Sequence, residues 1–383
     1  MIYLDHASAT PVSDKVLKAM APFMTENFFN PSSAYLPAAR VREAYEAAKS
    51  AIANAIGAKG NDLVITSGAT EANALAMTAV SKAGKILVLE TEHASVLENI
   101  KKYKHDIVKV DKTGLIDLKD LKNKLADDVE LVTVSLANNE LGTIQPLAEI
   151  SQILKDARLD RLKRGIATQL LLHSDASQGL ALLELNVARL GVDLMTLNSA
   201  KISGPKGVGA LYVGHDVRLN PLTSGGGQER GLRAGTENVA GVIGFATAIE
   251  AIKGHSSAAR KKYATLVNIL KTELQTAKVE PIFLGNPKHQ LANFLPVSFP
   301  GLDAERLVFK LEEHEVYVST GAACSASKGE PSHVLKAIGL SPAEIAGSLR
   351  LSLGVLNDGD NVKQAGRIIR EVVNKEYERT NGE

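Results

Sequence analysis

The run Asn198-Ser199-Ala200-Lys201-Ile202-Ser203-Gly204-Pro205 follows an apolar stretch that reads as a strand. An amine at a strand end can form a Schiff base with an aldehyde cofactor once its pKa is low enough to supply the neutral form. A solvated side chain is the plainer reading of Lys201 by residue type alone. Lys206 sits in a Gly-Pro-Lys-Gly turn and suits the role less. Asp175, within Ser174-Asp175-Ala176-Ser177-Gln178, could pair with a protonated ring nitrogen of such a cofactor and keep the ring electron-withdrawing. The bland alternative is an Asp-based turn. His93 could stack on the same ring, or simply cap the helix that follows it.

Ser67-Gly68-Ala69-Thr70-Glu71 lies between a strand and a helix. Small residues there let free N–H groups at the helix start face an anion, and Thr70 adds a hydroxyl. Plain capping by Ser67 or Thr70 accounts for the same residues. The chain's single cysteine, Cys324, lies in Ser319-Thr320-Gly321-Ala322-Ala323-Cys324-Ser325-Ala326-Ser327-Lys328-Gly329. A run with so few bulky side chains predicts a mobile loop, and a thiol there followed by Lys328 fits the reactive class better than the inert buried one. The glycine-rich run 224–236 adds Arg230 and Arg233 and ends on Thr236, which suits anion contact, a subunit interface or a surface hairpin.

These residues need elements to hold them. Stretches 63–67, 85–90, 107–110, 131–136, 169–173 and 193–197 read as strands. Between them, 37–56 is helical, with Val41, Tyr45, Ala48, Ile52 and Ile56 at helical spacing and Pro37 in the first turn. Further helices are expected at 69–81, 94–103 and 146–156; the basic piece 156–168 reads as a helix end plus a loop. Such alternation predicts a mainly parallel α/β sheet with helices on both faces. Thr70, His93, Asn139, Asp175 with Gln178, and Lys201 then all fall just beyond strand ends, the edge where open parallel sheets bind ligands. No Gly-x-Gly-x-x-Gly follows the strand before Thr70, which argues against a dinucleotide site. After about Asn238 the pattern changes. A long helical region breaks at Gly254, followed by strands near 294–299, 317–319 and 349–353 and helices at 304–313 and 362–373. This reads as a smaller α+β domain.

At 383 residues the chain exceeds what one core usually supports, so two domains are expected. Hydrophobic residues at 45% and charged residues at 23% are those of a soluble globular protein, and a net charge of +1 argues against a nucleic-acid surface. No apolar run approaches the roughly 20 residues of a membrane span. Met1 leads straight into a strand-like stretch without a signal segment, and a lone cysteine cannot form an internal disulfide, so a cytoplasmic setting is expected.

With these motifs in order, the chain resembles the cysteine desulfurases of the class V aminotransferase fold over essentially its whole length. The resemblance is carried by Tyr3-Leu4-Asp5-His6-Ala7-Ser8-Ala9-Thr10-Pro11, Asn30-Pro31-Ser32-Ser33, the Thr70 segment, Glu92-His93 and Asn138-Asn139-Glu140-Leu141-Gly142. The segments of Asp175, Lys201, Thr236 and Cys324, and Arg350-Leu351-Ser352-Leu353-Gly354, complete it. The Ala-Cys-Ser-Ala-Ser run resembles the subgroup with a long cysteine loop.

The resemblance implies a fold-type I pyridoxal-phosphate enzyme. Its large domain would span 12–250, and a small α+β domain would span 1–11 and 251–383 and carry the cysteine loop. It implies that Lys201 holds the cofactor as a Schiff base, Asp175 binds the pyridine nitrogen, Gln178 contacts the phenolic oxygen and His93 stacks on the ring and assists catalysis. Ala69 and Thr70 would hold the phosphate, with Thr236 reaching in from the second subunit of a homodimer. Asn139 would contact the cofactor and, with Arg350, would grip the carboxylate of L-cysteine. Cys324 would carry sulfur as a persulfide to an acceptor, either an iron–sulfur scaffold or a tRNA-thiolation enzyme. Two positions depart from the family: Ala200 stands where histidine is usual and Asn198 where serine is usual. Both positions usually contact the cofactor phosphate or its surroundings, so Asn198 and Ser199 are expected to bind the cofactor here through amide or hydroxyl donors, with Ser203 as a further candidate. A related aminotransferase or selenocysteine lyase on the same fold, and a dimeric scaffold that has lost its cofactor, are the alternatives.

Overall fold

Residues 171–175 and 129–133 are buried along their whole length, the pattern of strands covered on both faces. In the computed structural model, which describes residues 1–320 and 331–382, they lie inside a seven-stranded sheet. Its strands are β2 (Leu63–Thr66), β3 (Lys85–Leu89), β4 (Lys104–Val108), β5 (Val129–Thr133), β6 (Leu171–Asp175), β7 (Leu194–Asn198) and β8 (Gly209–Val213), in the order β2-β8-β7-β6-β5-β3-β4. Only β8 runs against its neighbours, β2 and β7; the remaining pairs are parallel. Being antiparallel to the same strand, β2 and β7 point the same way. The ends of β2, β3, β5, β6 and β7 therefore open on one edge.

Two departures from the sequence reading have visible causes. β4 begins at Lys104, three residues earlier than expected, because it is an edge strand whose first three residues, Lys104, His105 and Asp106, are exposed and polar and carry no apolar signal. The helix Leu147–Lys163 continues through most of the basic stretch expected to be a loop. There Arg161 is buried and donates to the carbonyls of Val129 (2.9 Å) and Ala126 (2.6 Å), so a charged residue acts as packing. The helix Leu36–Ala55 lies close to the expected bounds and packs against Val239–Ile252.

Apolar residues between Val16 and Ile249 form the main cluster around the sheet. A second cluster joins Ile2 and Leu4 to residues between Leu266 and Val373. It surrounds the antiparallel sheet β12 (Ser348–Ser352), β10 (Phe294–Ser298) and β9 (Ile282–Phe283), and the parallel pair β1 (Ile2–Tyr3) and β11 (Val316–Tyr317). The C-terminal helix Gly359–Asn381 outruns the expected 362–373 at both ends. No helix among the described residues is long and apolar enough to cross a membrane.

One buried ion pair fastens the glycine-rich segment to the sheet. Glu229 accepts from Lys49 Nζ (2.8 Å), Tyr45 Oη (2.5 Å) and the N–H of Ile65 in β2 (2.7 Å). Glu229 and Arg230 both have positive φ, 45° and 61°, a conformation that costs a non-glycine residue about 1–3 kcal/mol each. Replacing Glu229 with glutamine leaves the Lys49 charge buried and uncompensated. It should destabilise the protein by about 3–5 kcal/mol, measurable as a shift in the urea midpoint.

Candidate active site

The edge formed by the parallel strands borders a cavity of about 460 Å³. Ala69 and Thr70 reach it from beyond β2, His93 from beyond β3, and Asn139 from beyond β5. Asp175 is the last residue of β6, Gln178 follows it, and Asn198 and Lys201 come from the end of β7 and the turn after it. Ala7, Ser8, His333 and Arg350 close the cavity from the other side.

The helix Ala69–Met77 starts at the sheet edge with Gly68 at φ 151°, a conformation that favours glycine. A Cβ on Gly209 of β8 would come within 2.8 Å of Gly68 Cα, so the two backbones approach closely because Gly209 lacks a side chain. The first N–H groups of this helix have no partner within it, and with Thr70 they are of the kind that can receive an anion. Glu71 accepts from the N–H of Ser67 (2.6 Å) and from Arg233 (3.2 Å), tying the helix start to the glycine-rich segment.

Lys201 Nζ donates to the carbonyls of Ala7 (2.8 Å) and Ser8 (2.6 Å), which aim the amine across the cavity mouth. Asp175 is buried. Its Oδ2 accepts from Asn73 Nδ2 (2.8 Å) and its Oδ1 from the N–H of Ser177 (2.9 Å). Asn73 Nδ2 also donates to Ser95 Oγ (2.9 Å), which lies 2.8 Å from His93 Nδ1. A chain of hydrogen bonds thus joins the carboxylate to the imidazole. Burial lowers the His93 pKa below its ordinary 6.5, opposed by the Asp175 charge and aided by Lys201, His333 and Arg350, so the ring is neutral at pH 7.

Arg350, on β12, is 4% exposed. It donates to Asp5 Oδ1 (2.6 Å), Ser8 Oγ (2.6 Å) and the Asn139 carbonyl (3.0 Å), while its buried Nε has no hydrogen-bond partner. A buried guanidinium with a spare donor beside a cavity suits an incoming carboxylate.

Two buried carboxyls flank this set. Burial pushes Glu92 up to about 8 despite two hydrogen bonds from Ser135, with Asp175 adding a smaller push. Burial also raises Glu140, against the Ser332 hydroxyl (2.6 Å) and the charges of His333 and Arg350. Because the folded-state pKa of Glu92 lies above its ordinary 4.5, its contribution to stability is full below 4.5 and is lost as pH rises through about 8. Glu92→Gln should flatten the stability–pH curve between those limits, as read by denaturant titration at several pH values.

Of the residues expected at the site, Ala69, Thr70, His93, Asn139, Asp175, Gln178, Asn198, Lys201 and Arg350 all line the one cavity. His93 also does what its bland reading required: its Nδ1 accepts from the N–H of Ser95 (3.1 Å), capping the helix Ala94–Ile100. Gln178 Nε2 donates to the Ala7 carbonyl (3.0 Å), and Asn198 Oδ1 caps the turn Ser199–Lys201. Ser199 is not brought to the cavity; it is fully buried and packs against Gly204. Thr236 is exposed and borders a separate small cavity beside Glu229. Cys324 lies outside the described residues.

The sequence reading missed Asn73, Ser95, Ser135, Glu140 and His333 as site residues. Asn73 and Ser95 stand one helical turn or less from Thr70 and His93, which is the signal that could have found them. No group of three or more His, Cys, Asp or Glu among the described residues is placed to hold a metal ion.

The aminotransferase class-V family model matches residues 2–365. The cysteine desulfurase IscS 1 of Archaeoglobus fulgidus is 38% identical over 98% of this chain and 97% of its own length. The cysteine desulfurase IscS of Methanosarcina thermophila is 37% identical over 98% of this chain and 92% of its own. Among solved structures, a NifS-like protein aligns with a TM-score of 0.88 and 31% identity, covering 97% of this chain and 98% of that one. With this likeness running the whole length of the chain, and with an amine, a buried carboxylate and a helix N-terminus meeting at one cavity, the chain belongs to the aminotransferase class-V family and is a pyridoxal-phosphate-dependent cysteine desulfurase.

Proposed function

We propose that the protein removes sulfur from L-cysteine in this cavity, releases L-alanine, and passes the sulfur as a persulfide on Cys324 to an acceptor protein for iron–sulfur cluster assembly or tRNA thiolation. It would act in the cytoplasm as a homodimer in which Thr236 of one subunit reaches the other's cavity. Its large domain would be residues 12–250 and its small domain 1–11 with 251–383. The observation that carries the reading is Lys201 facing one cavity with Asp175 and Arg350.

The residues present suit the cofactor. The N–H groups of the helix Ala69–Met77 and Thr70 would hold its phosphate, Asp175 its ring nitrogen, and Lys201 its aldehyde carbon. When bound, pyridoxal phosphate supplies an electron sink that stabilises a carbanion at the substrate Cα. The buried Asp175, fixed by Asn73 and Ser177, keeps a proton on the ring nitrogen. The spare Nε of Arg350, with the Asn139 side chain, orients the substrate carboxylate. Lys201 Nζ, once free of cofactor, takes the Cα proton and returns one as alanine forms. The exposed position of Thr236, away from its own subunit's cavity, supports a role across an interface.

The test is to incubate the purified protein with L-cysteine and quantify alanine together with protein-bound persulfide. Cys324→Ser should abolish the persulfide and keep the bound cofactor's absorbance. A persulfide on that variant, or equal alanine output from it, would count against the assignment.

A further inference from the structure

Asn73 is fully buried on the helix Ala69–Met77, one turn on from Ala69 and Thr70, yet its amide does more than fill space. Its Nδ2 donates to Asp175 Oδ2 (2.8 Å) and to Ser95 Oγ (2.9 Å), which uses both amide protons. Chemistry fixes the orientation of that amide: a carboxylate only accepts, and the flipped amide would set oxygen against oxygen. The remaining atom, Oδ1, is buried and has no hydrogen-bond partner. Packing alone would favour an apolar side chain at such a position, so the unpartnered oxygen is tolerated for the sake of the two donors.

Each donor serves a different wall of the cavity. Asp175 Oδ1 accepts from the N–H of Ser177 (2.9 Å), so with Asn73 both carboxylate oxygens are held. On the other branch, Ser95 Oγ receives the amide proton and lies 2.8 Å from His93 Nδ1. The N–H of Ser95 also points at Nδ1 (3.1 Å), and a backbone N–H can only donate. Nδ1 is thus the acceptor, the Ser95 hydroxyl is left to donate to it, and the neutral ring holds its proton on Nε2. The charges of Lys201, His333 and Arg350 also act on His93, and that of Asp175 acts on His93, Glu92 and His173.

We propose that Asn73 is a positioning residue for the reaction: one amide aims the Asp175 carboxylate at the cofactor's ring nitrogen and, through Ser95, commits His93 to facing the cavity as an N–H donor. Asn73 does not itself reach the cavity wall, so it acts only through these two groups. This rests on the reading above that Asp175 pairs with the ring nitrogen, and adds to it the side chain that sets both partners at once.

The test uses the holoenzyme. Asn73→Leu keeps the volume and removes both donors. It should lower kcat for alanine release by about 10- to 100-fold, the scale of a misplaced reacting group, with KM for cysteine nearly unchanged. In the same variant, 15N NMR of pyridoxal phosphate labelled at the ring nitrogen should show that nitrogen losing its proton, a readout that needs no turnover. Asn73→Asp separates aiming from packing. Its carboxyl has the shape of the amide but donates only when protonated, so kcat should recover as pH falls, a recovery that Asn73→Leu should not show. Unchanged kcat and ring-nitrogen signal in the leucine variant, or parallel pH profiles for the two variants, would overturn the proposal. Should the variants fail to fold, 15N-histidine NMR of the unmutated protein decides: His93 should carry its proton on Nε2 at pH 7, and a proton on Nδ1 would refute the relay. An unprotonated ring nitrogen in the unmutated holoenzyme would defeat the Asp175 pairing and the proposal with it. Unmutated enzyme that yields no alanine from cysteine, yet shows the ring-nitrogen change on Asn73→Leu, would defeat the function and not the positioning.

Discussion

Lys201→Ala is expected to cut alanine formation from L-cysteine by about 10⁴-fold or more, the upper end of what loss of one proton-transferring group costs. Two roles would vanish together, the covalent hold on the cofactor and the base at Cα. No second lysine among the described residues lines the cavity, so no neighbour can replace it. Binding should suffer far less, because the N–H groups ahead of Thr70 and the Asp175 carboxylate are untouched. The variant should therefore still take up pyridoxal phosphate, with the absorbance of a free aldehyde. Borohydride reduction of the wild-type enzyme followed by peptide mass mapping should label Lys201 and should label nothing in the variant. Label on any other lysine would sink the assignment.

Arg350→Lys should lower kcat/KM for cysteine by roughly 10- to 100-fold, mainly through KM, matching about 1.5–3 kcal/mol for a lost charged hydrogen bond. The guanidinium simultaneously serves Asp5, Ser8 and the Asn139 carbonyl and retains Nε for the substrate. An ammonium has a single nitrogen and cannot span that fork. Some stability should also be lost, because Asp5 pairs with Arg350 in a largely buried setting. Steady-state kinetics and a thermal melt separate the two effects. A lower Tm with an unchanged KM would make Arg350 a structural tie and no more.

Much of the site was legible before any fold was known. Lys201, Asp175, His93 and Thr70 could be read because strand ends in a parallel sheet share one edge, and apolar runs mark where strands stop. β4 was misplaced because edge strands carry exposed residues, and the helix Leu147–Lys163 was cut short because buried Arg161 mimics a surface residue. Ser199 was assigned to the cofactor from its neighbourhood alone; its burial against Gly204 is set by a turn whose packing leaves no local trace.

The sequence by itself determined the α/β alternation, the ordered motifs and the residue types for Schiff-base chemistry, since these depend on local periodicity and side-chain identity. Tertiary structure alone decided which partners face the ring nitrogens of His93 and His333, that the buried Nε of Arg350 has no hydrogen-bond partner, and that two glutamic acids sit buried beside the cavity. Those properties arise from partners far apart in the chain, His333 with Glu92 and Arg350 with Asp5, and pairing at such distances is created only when the chain packs.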